Sequence, residues 1–309
     1  RTRRLHLTHN LRRGALAPLH VVGKLSESKP IVDIGIAANI YQSNLWWPAV
    51  MSLILSEERY GDITINSVRA VSSAVTDANR NAVLGNNIRR LSHTDSNRKE
   101  VSYGFLAGNA DYLFWLDDDT VPPQLSITRL MRSGHELVSG LYFSQGGAHE
   151  PIAHFKNEVG RYVPIVGYSQ GSLMRVDSIG MGCCLIHRSV FERIMEGHEL
   201  FRRRNGTLVP IAKSQIVGSD YEEPTDFEPY VENGIYHEHY TRTQLNEGER
   251  WPFYAFENNR TEDLYFCELA DHVGIKPWVD TSVLCNHYKV GTITEKDYMD
   301  VLLRDEGIA

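Results

Sequence analysis

The chain lacks a membrane-spanning run: no window of its 309 residues approaches the roughly 18 continuous apolar residues a transmembrane helix needs. No signal-peptide core is visible either. It also lacks a basic field. Lys and Arg number 32 against 39 Asp and Glu, a net charge of −7, which removes the electrostatic footprint expected of a nucleic-acid partner. Basic residues gather only at the start, where Arg1, Arg3, Arg4, Arg12 and Arg13 lie in a poorly patterned stretch. That stretch, residues 1–30, reads as a flexible arm or an expression remnant. Cysteine is scarce: Cys183, Cys184, Cys267 and Cys285 contain no CxxC pair. That argues against a zinc knuckle, and without a secretion signal it argues against disulfides. The expectation is buried free thiols in a cytoplasmic protein. No internal repeat or low-complexity linker breaks the chain, so a single domain over 31–309 is expected.

What is present is ordinary for a soluble globular enzyme: 42% hydrophobic and 23% charged residues. The segment "YLFWLDDDTVPP" (112–123) runs five apolar or aromatic residues into three aspartates and a proline pair. Tyr112–Leu116 shows neither helical nor alternating pattern, which suits a strand covered on both faces of a parallel sheet. Around it the pattern alternates. "IVDIGIAANIY" (31–41) and "DITINSVRAV" (62–71) read as strands, with a helix over 44–61 between them. Further helices are expected over 96–110 and 123–134, and a strand over 136–143. Strand–helix–strand repeats predict an α/β fold with a mostly parallel sheet flanked by helices. Ligands of such folds bind beyond the carboxyl ends of the strands, where Asp117, Asp118 and Asp119 would sit.

The second half is less regular. "PIAHFK" and "RYVPIVGY" predict a hairpin, and 176–195 a strand feeding a helix. Residues 218–250, rich in Asp, Glu, Tyr and Asn, show no apolar period; a loop of that length inside a domain is commonly functional, and it reads as a lid. "YHEH" (236–239) falls in that segment and reads as loop. A helix over 260–274 and a strand over 276–291, carrying His287, close the fold, leaving 292–309 as a tail.

Clustered carboxylates with a histidine can hold a divalent cation, Mg²⁺ or Mn²⁺ in an oxygen-rich site. In extended backbone Asp117 and Asp119 share a side and Asp118 points elsewhere. Taken alone, an acidic triplet is more often solvated surface, and a lone histidine more often structural.

The order of motifs narrows this. "NADYLFWLDDDT", "VSGLYF", "IGMGCCLIHRSVFERI" and "WPFYAFENNRTEDLYFCELADHVGIKPWVD" resemble the GT-A nucleotide-sugar glycosyltransferases, specifically the family 2-like group, from about Ile31 to Gly291. The resemblance implies a metal-dependent transferase moving a sugar from a UDP- or GDP-linked donor to a hydroxyl of a carbohydrate or other acceptor. Residues 31–145 would form the nucleotide-binding half and 146–291 the acceptor half. Carried over, Asp117 faces the nucleotide ribose, and Asp119, with Asp117 and His287, holds Mn²⁺ or Mg²⁺. Asp118 is the uncertain middle member on the donor side. Ala38 and Asn39 let the base approach the first strand, and Arg98, or less well Arg80, offsets phosphate charge. Arg98 reads equally as a surface helix residue. Asp263 is implied as general base with Glu262 in support, although carboxylates in a first helical turn are also favoured by the dipole, with Thr261 as N-cap. Gly180 and Gly182 read either as pocket lining, Gly182 touching the donor, or as close packing. Trp251 and Phe253 read either as a plate for a sugar ring or as core.

Two other classes compete. A nucleotidyltransferase also places carboxylates at strand ends, but "IAANIYQSN" lacks the Gly-rich phosphate loop. A non-catalytic sugar-nucleotide-binding module needs no base, which the Glu262–Asp263 pair argues against. The acidic pair favours inversion of the anomeric centre; a late-strand histidine is also found among retaining members.

Overall fold

A computed structural model of the chain describes residues 28–38, 46–72, 105–144, 148–203, 205–216, 230–232, 235–237, 240–246, 249, 251–255, 260–288, 292–293, 295 and 298–299. The first half builds β1 (Ile31–Ala38), α1 (Trp46–Tyr60), β2 (Thr64–Ser72), β3 (Tyr112–Asp117), β4 (Thr120–Val121), α2 (Ser126–Arg132) and β5 (Leu137–Leu141). The expected helix over 96–110 is, where described, a single 3-10 turn at Phe105–Ala107. Then follow short strands β6 (Ala153–Lys156), β7 (Tyr162–Pro164), β8 (Leu173–Arg175) and β9 (Ser178–Ile179). Next come β10 (Cys183–His187), α3 (Arg188–Gly197), β11 (His198–Arg203) and β12 (Leu208–Ala212). The described parts of 218–250 include β13 (Tyr230–Glu232), β14 (Ile235–His237) and β15 (Tyr240–Arg242), so strand pairing extends into a stretch expected to be loop, and His237 of "YHEH" ends a strand. The chain closes with α4 (Glu262–His272), β16 (Trp278–Leu284), β17 (Asn286–Tyr288) and β18 (Thr292–Ile293).

The unpatterned run at 113–116 is explained by two cores. Leu113 and Trp115 join Phe191 and Phe266 on one face of the sheet. Phe114 and Leu116 join Trp46, Val50, Leu53 and Ile127 on the other. All four β3 residues are fully buried, so alternation along the strand separates two apolar environments and not core from water.

The architecture is mixed α/β, and in the large sheet β10 and β8 run against the other five strands. The seven strands run in the order β2-β1-β3-β10-β5-β16-β8. β1 is parallel to β2 and β3, and β16 to β5, but β10 is antiparallel to both of its neighbours and β8 is antiparallel to β16. The reason lies in how the chain enters β10. Gly182 already stands at the carboxyl end of β3, where its carbonyl accepts from Asp117 N at 3.2 Å, so the strand has one direction left to run. The expected hairpin forms from β6 and β7. The strand expected over 276–291 breaks at Cys285: β16 stays in the large sheet, while β17 leaves it to pair with β4. All four cysteines are buried and free. Among the described residues, no helix is long and apolar enough to cross a membrane.

Candidate functional site

β3 ends at Asp117 and β4 starts at Thr120, so Asp118 and Asp119 occupy the turn between them. Asp118 is buried, whereas Asp117 and Asp119 are partly exposed. β17 runs antiparallel to β4 with His287 opposite Thr120, and Tyr288 N donates to the Asp119 carbonyl at 2.7 Å. This pairing brings two distant sequence signals together: His287 Nε2 stands 3.2 Å from Asp119 Oδ2.

The other ring nitrogen fixes the tautomer. His287 Nδ1 lies 2.6 Å from the Phe143 carbonyl oxygen, which can only accept, so Nδ1 carries the proton and Nε2 faces Asp119. Burial pulls the imidazole pKa down, but the hydrogen bond and charge of Asp119, the Phe143 carbonyl and the charge of Asp117 outweigh it, and the net shift is upward. A carbonyl holding the outer nitrogen while the inner one faces a carboxylate is the arrangement that orients metal-ligating histidines. Among the described residues, however, no three His, Cys, Asp or Glu side chains are gathered as a ready cage.

From the other side the Gly180–Met181–Gly182 loop closes on the turn. Gly182 N donates to the Tyr142 hydroxyl at 2.9 Å, and the Tyr142 ring meets His287 edge-on with centroids 5.4 Å apart. A Cβ at Gly180 would lie 2.0 Å from the Tyr142 hydroxyl, and one at Gly182 2.9 Å from Thr120 Oγ1. Close packing therefore leaves no room for a side chain at either position. Met181 N donates to Asp263 Oδ2 at 3.2 Å, which places the first turn of α4 against the same loop. Glu262 is buried beside it. Thr261 occupies the N-cap position in extended backbone, but its side chain makes no capping bond.

Ala38 is the last residue of β1, one beyond the Ala37–Asp117 register pair, so the end of β1 adjoins the acidic turn. Asn39, Arg80 and Arg98 lie outside the described residues. Trp251 and Phe253 are buried, and pack on His198 and Phe191 respectively. They serve the core, and the sugar-plate alternative fails for both. The stacking of Tyr254 on Phe266, and its hydroxyl bonded to Trp115 Nε1 at 2.8 Å, anchor the segment that leads into α4.

Sequence reasoning missed Tyr142 and Trp46. Tyr142 lies in "VSGLYF", which signalled only a strand, and Trp46 opens an apolar helix in which nothing marks its indole as polar.

No protein-family model matches the chain, and a search of curated proteins finds no match. Among solved structures the chain is similar to A197 from STIV, at 12% identity and a TM-score of 0.39 over 84% of this chain and 86% of that one. It is also similar to GalNAc-T7, solved with UDP, GalNAc and Mn²⁺, at 8% identity and a TM-score of 0.35. That likeness covers 89% of this chain and 48% of GalNAc-T7, so the chain spans about half of that protein's length. Both TM-scores are low, and neither likeness carries an argument for fold or function.

Proposed function

We propose that the chain is a metal-dependent GT-A glycosyltransferase that moves a sugar from a UDP- or GDP-linked donor to an acceptor hydroxyl. The observation that carries this reading is the approach of His287 Nε2 to Asp119 Oδ2, 3.2 Å apart, at the carboxyl end of the buried strand β3. The donor set suits Mn²⁺ or Mg²⁺. Such ions accept few protein ligands when substrate phosphates supply the rest, so a diphosphate would complete the site. Asp119 and His287, with Asp117, would hold the ion, which when bound stabilises charge on the leaving diphosphate.

The remaining roles belong to the chain itself. Asp117, Asp118, Ala38, Asn39, Arg98 and Gly182 form the donor side, within a nucleotide-binding half of 31–145. The acceptor half is 146–291. Asp263, at the start of α4 and bonded to Met181 N, takes the proton of the acceptor hydroxyl, and buried Glu262 supports it. This arrangement favours inversion by single displacement; a retaining outcome is the alternative, and the anomeric configuration of the product separates the two.

Incubation with a panel of nucleotide sugars, with Mn²⁺ or with a chelator, tests the reading. One UDP- or GDP-sugar should be hydrolysed slowly without acceptor, and chelation should stop it. A protein that binds a nucleotide sugar and never cleaves it would be a binding module, and cleavage or formation of a nucleoside triphosphate bond would indicate a nucleotidyltransferase.

A further inference from the structure

We propose that Trp46 is a positioning residue that staples the acidic turn; its functional side rests on the metal reading above. The indole Nε1–H of Trp46 points between two carbonyls, 3.1 Å from Asp117 O and 3.2 Å from Thr120 O. Those carbonyls bracket Asp118 and Asp119. One donor shared between the two ends of the turn fixes their separation, and with it the spacing of Asp117 and Asp119. Three adjacent carboxylates repel one another, and that repulsion works to open the turn.

The turn is held at three places from three elements. Asp117 N donates to Gly182 O, Tyr288 N donates to Asp119 O, and Trp46 takes the two outer carbonyls. The first two ties are backbone to backbone. Trp46 supplies a side chain, so a substitution can remove its tie alone.

Trp46 is also the first point of a rail. Further along α1, Ser52 Oγ accepts from Gln124 Nε2 at 2.9 Å and Ser56 Oγ from Leu125 N at 3.3 Å. Glu57 Oε1 accepts from Ile127 N at 2.8 Å, and Glu57 Oε2 from Thr128 Oγ1 at 2.6 Å. Leu125 has φ 60°, a left-handed conformation that costs a branched side chain energy and persists where surroundings impose it. α1 thus registers the chain from Asp117 to Thr128 point by point, and its first contact is with the backbone carbonyls that bracket Asp118 and Asp119.

The indole is fully buried in the core cluster that includes Phe114, Leu116 and Val50, so shape must be kept when the donor is removed. Trp46→Phe does this approximately. Benzothienylalanine at position 46, with sulfur in place of N–H, does it nearly isosterically and serves if the Phe variant folds poorly. Leu55→Ala, at an exposed position of the same helix, is the control. Two readouts are taken: amide hydrogen exchange at 118–121, and Mn²⁺ affinity by electron paramagnetic resonance. Loss of the donor should speed exchange at these amides at least tenfold and weaken Mn²⁺ binding about 10–100-fold, as for other groups that orient metal ligands. Stability loss with exchange and Mn²⁺ affinity unchanged would make Trp46 a core residue only and overturn the proposal. If the native protein takes no Mn²⁺, the metal reading falls, and exchange alone then decides whether Trp46 holds the turn: unchanged exchange refutes the staple.

Discussion

Met181 donates its backbone N–H to Asp263 Oδ2 at 3.2 Å, joining the start of α4 to the loop that also touches Asp117 and Tyr142. An asparagine at 263 can still accept that hydrogen bond through its side-chain oxygen but can no longer take a proton. Asp263→Asn should therefore leave folding and donor affinity nearly unchanged while transfer falls about 10²–10⁴-fold, the range for loss of a general base. Calorimetric donor binding beside a transfer assay checks this. Full transfer by the Asn variant would reduce Asp263 to a helix-start residue that holds the Met181 amide.

Asp119→Ala and His287→Ala should each weaken Mn²⁺ binding and lower metal-dependent turnover at least tenfold. Their effects should be far from additive, because the two groups share one ion. Titration of Mn²⁺ against activity in the single and double variants gives the answer. Independent, additive losses would separate the two residues into unrelated roles.

Gly180→Ala drives a methyl group onto the Tyr142 hydroxyl, 2.0 Å away in the unrelaxed backbone. A cost of about 1–3 kcal/mol is expected from such overpacking, read from urea denaturation. Removing the hydroxyl in the double variant with Tyr142→Phe should recover part of it. No loss in the single variant would mean that the loop has room to move.

A histidine pair should contribute to a loss of stability at low pH. His198 Nε2 lies 3.3 Å from His272 Nδ1, and His198 Nδ1 bonds the Ile194 carbonyl at 2.7 Å. Burial lowers both pKa values from their ordinary 6.5; proximity to His272 adds to the effect on His198, while the nearby charge of Asp271 partly offsets it on His272. The unfolded chain then binds more protons than the fold, so stability is lost as pH drops below that ordinary value. His287, shifted the other way, opposes this trend. His272→Gln should flatten the fall of Tm between about pH 7 and pH 5. An unchanged slope would place the acid sensitivity elsewhere.

The parts of the molecule visible in sequence are those governed by local pattern. The run Tyr112–Leu116 announced a strand covered on both faces, and the two-residue spacing of Asp117 and Asp119 is matched by their partial exposure while Asp118 is buried. The direction of β10 was not legible, because it depends on where Gly182 has to stand and not on any feature of "CCLIH". Nor was the break at Cys285, which lets β17 leave the sheet and carry His287 to Asp119. Trp46 and Tyr142 look like core residues in sequence, and by area they are. Their polar atoms acquire partners only when segments far apart in the chain meet. Trp251 and Phe253 misled in the opposite sense, since aromatic residues ahead of an acidic pair look the same in a pocket and in a core.

The central slot between β3 and β5 is filled by a strand synthesised after both. Until Cys183–His187 has been made, each of these apolar strands presents a bare row of amides and carbonyls, and bare edges recruit other strands. A nascent chain is therefore most exposed to self-association over the interval between β5 and β10. Fragments ending near residue 180 should collect in insoluble aggregates, whereas fragments extending through α3, with the gap closed, should stay dispersed to a greater degree. Supplying the β10 sequence as a separate peptide should protect the shorter fragments by occupying the empty place in the sheet.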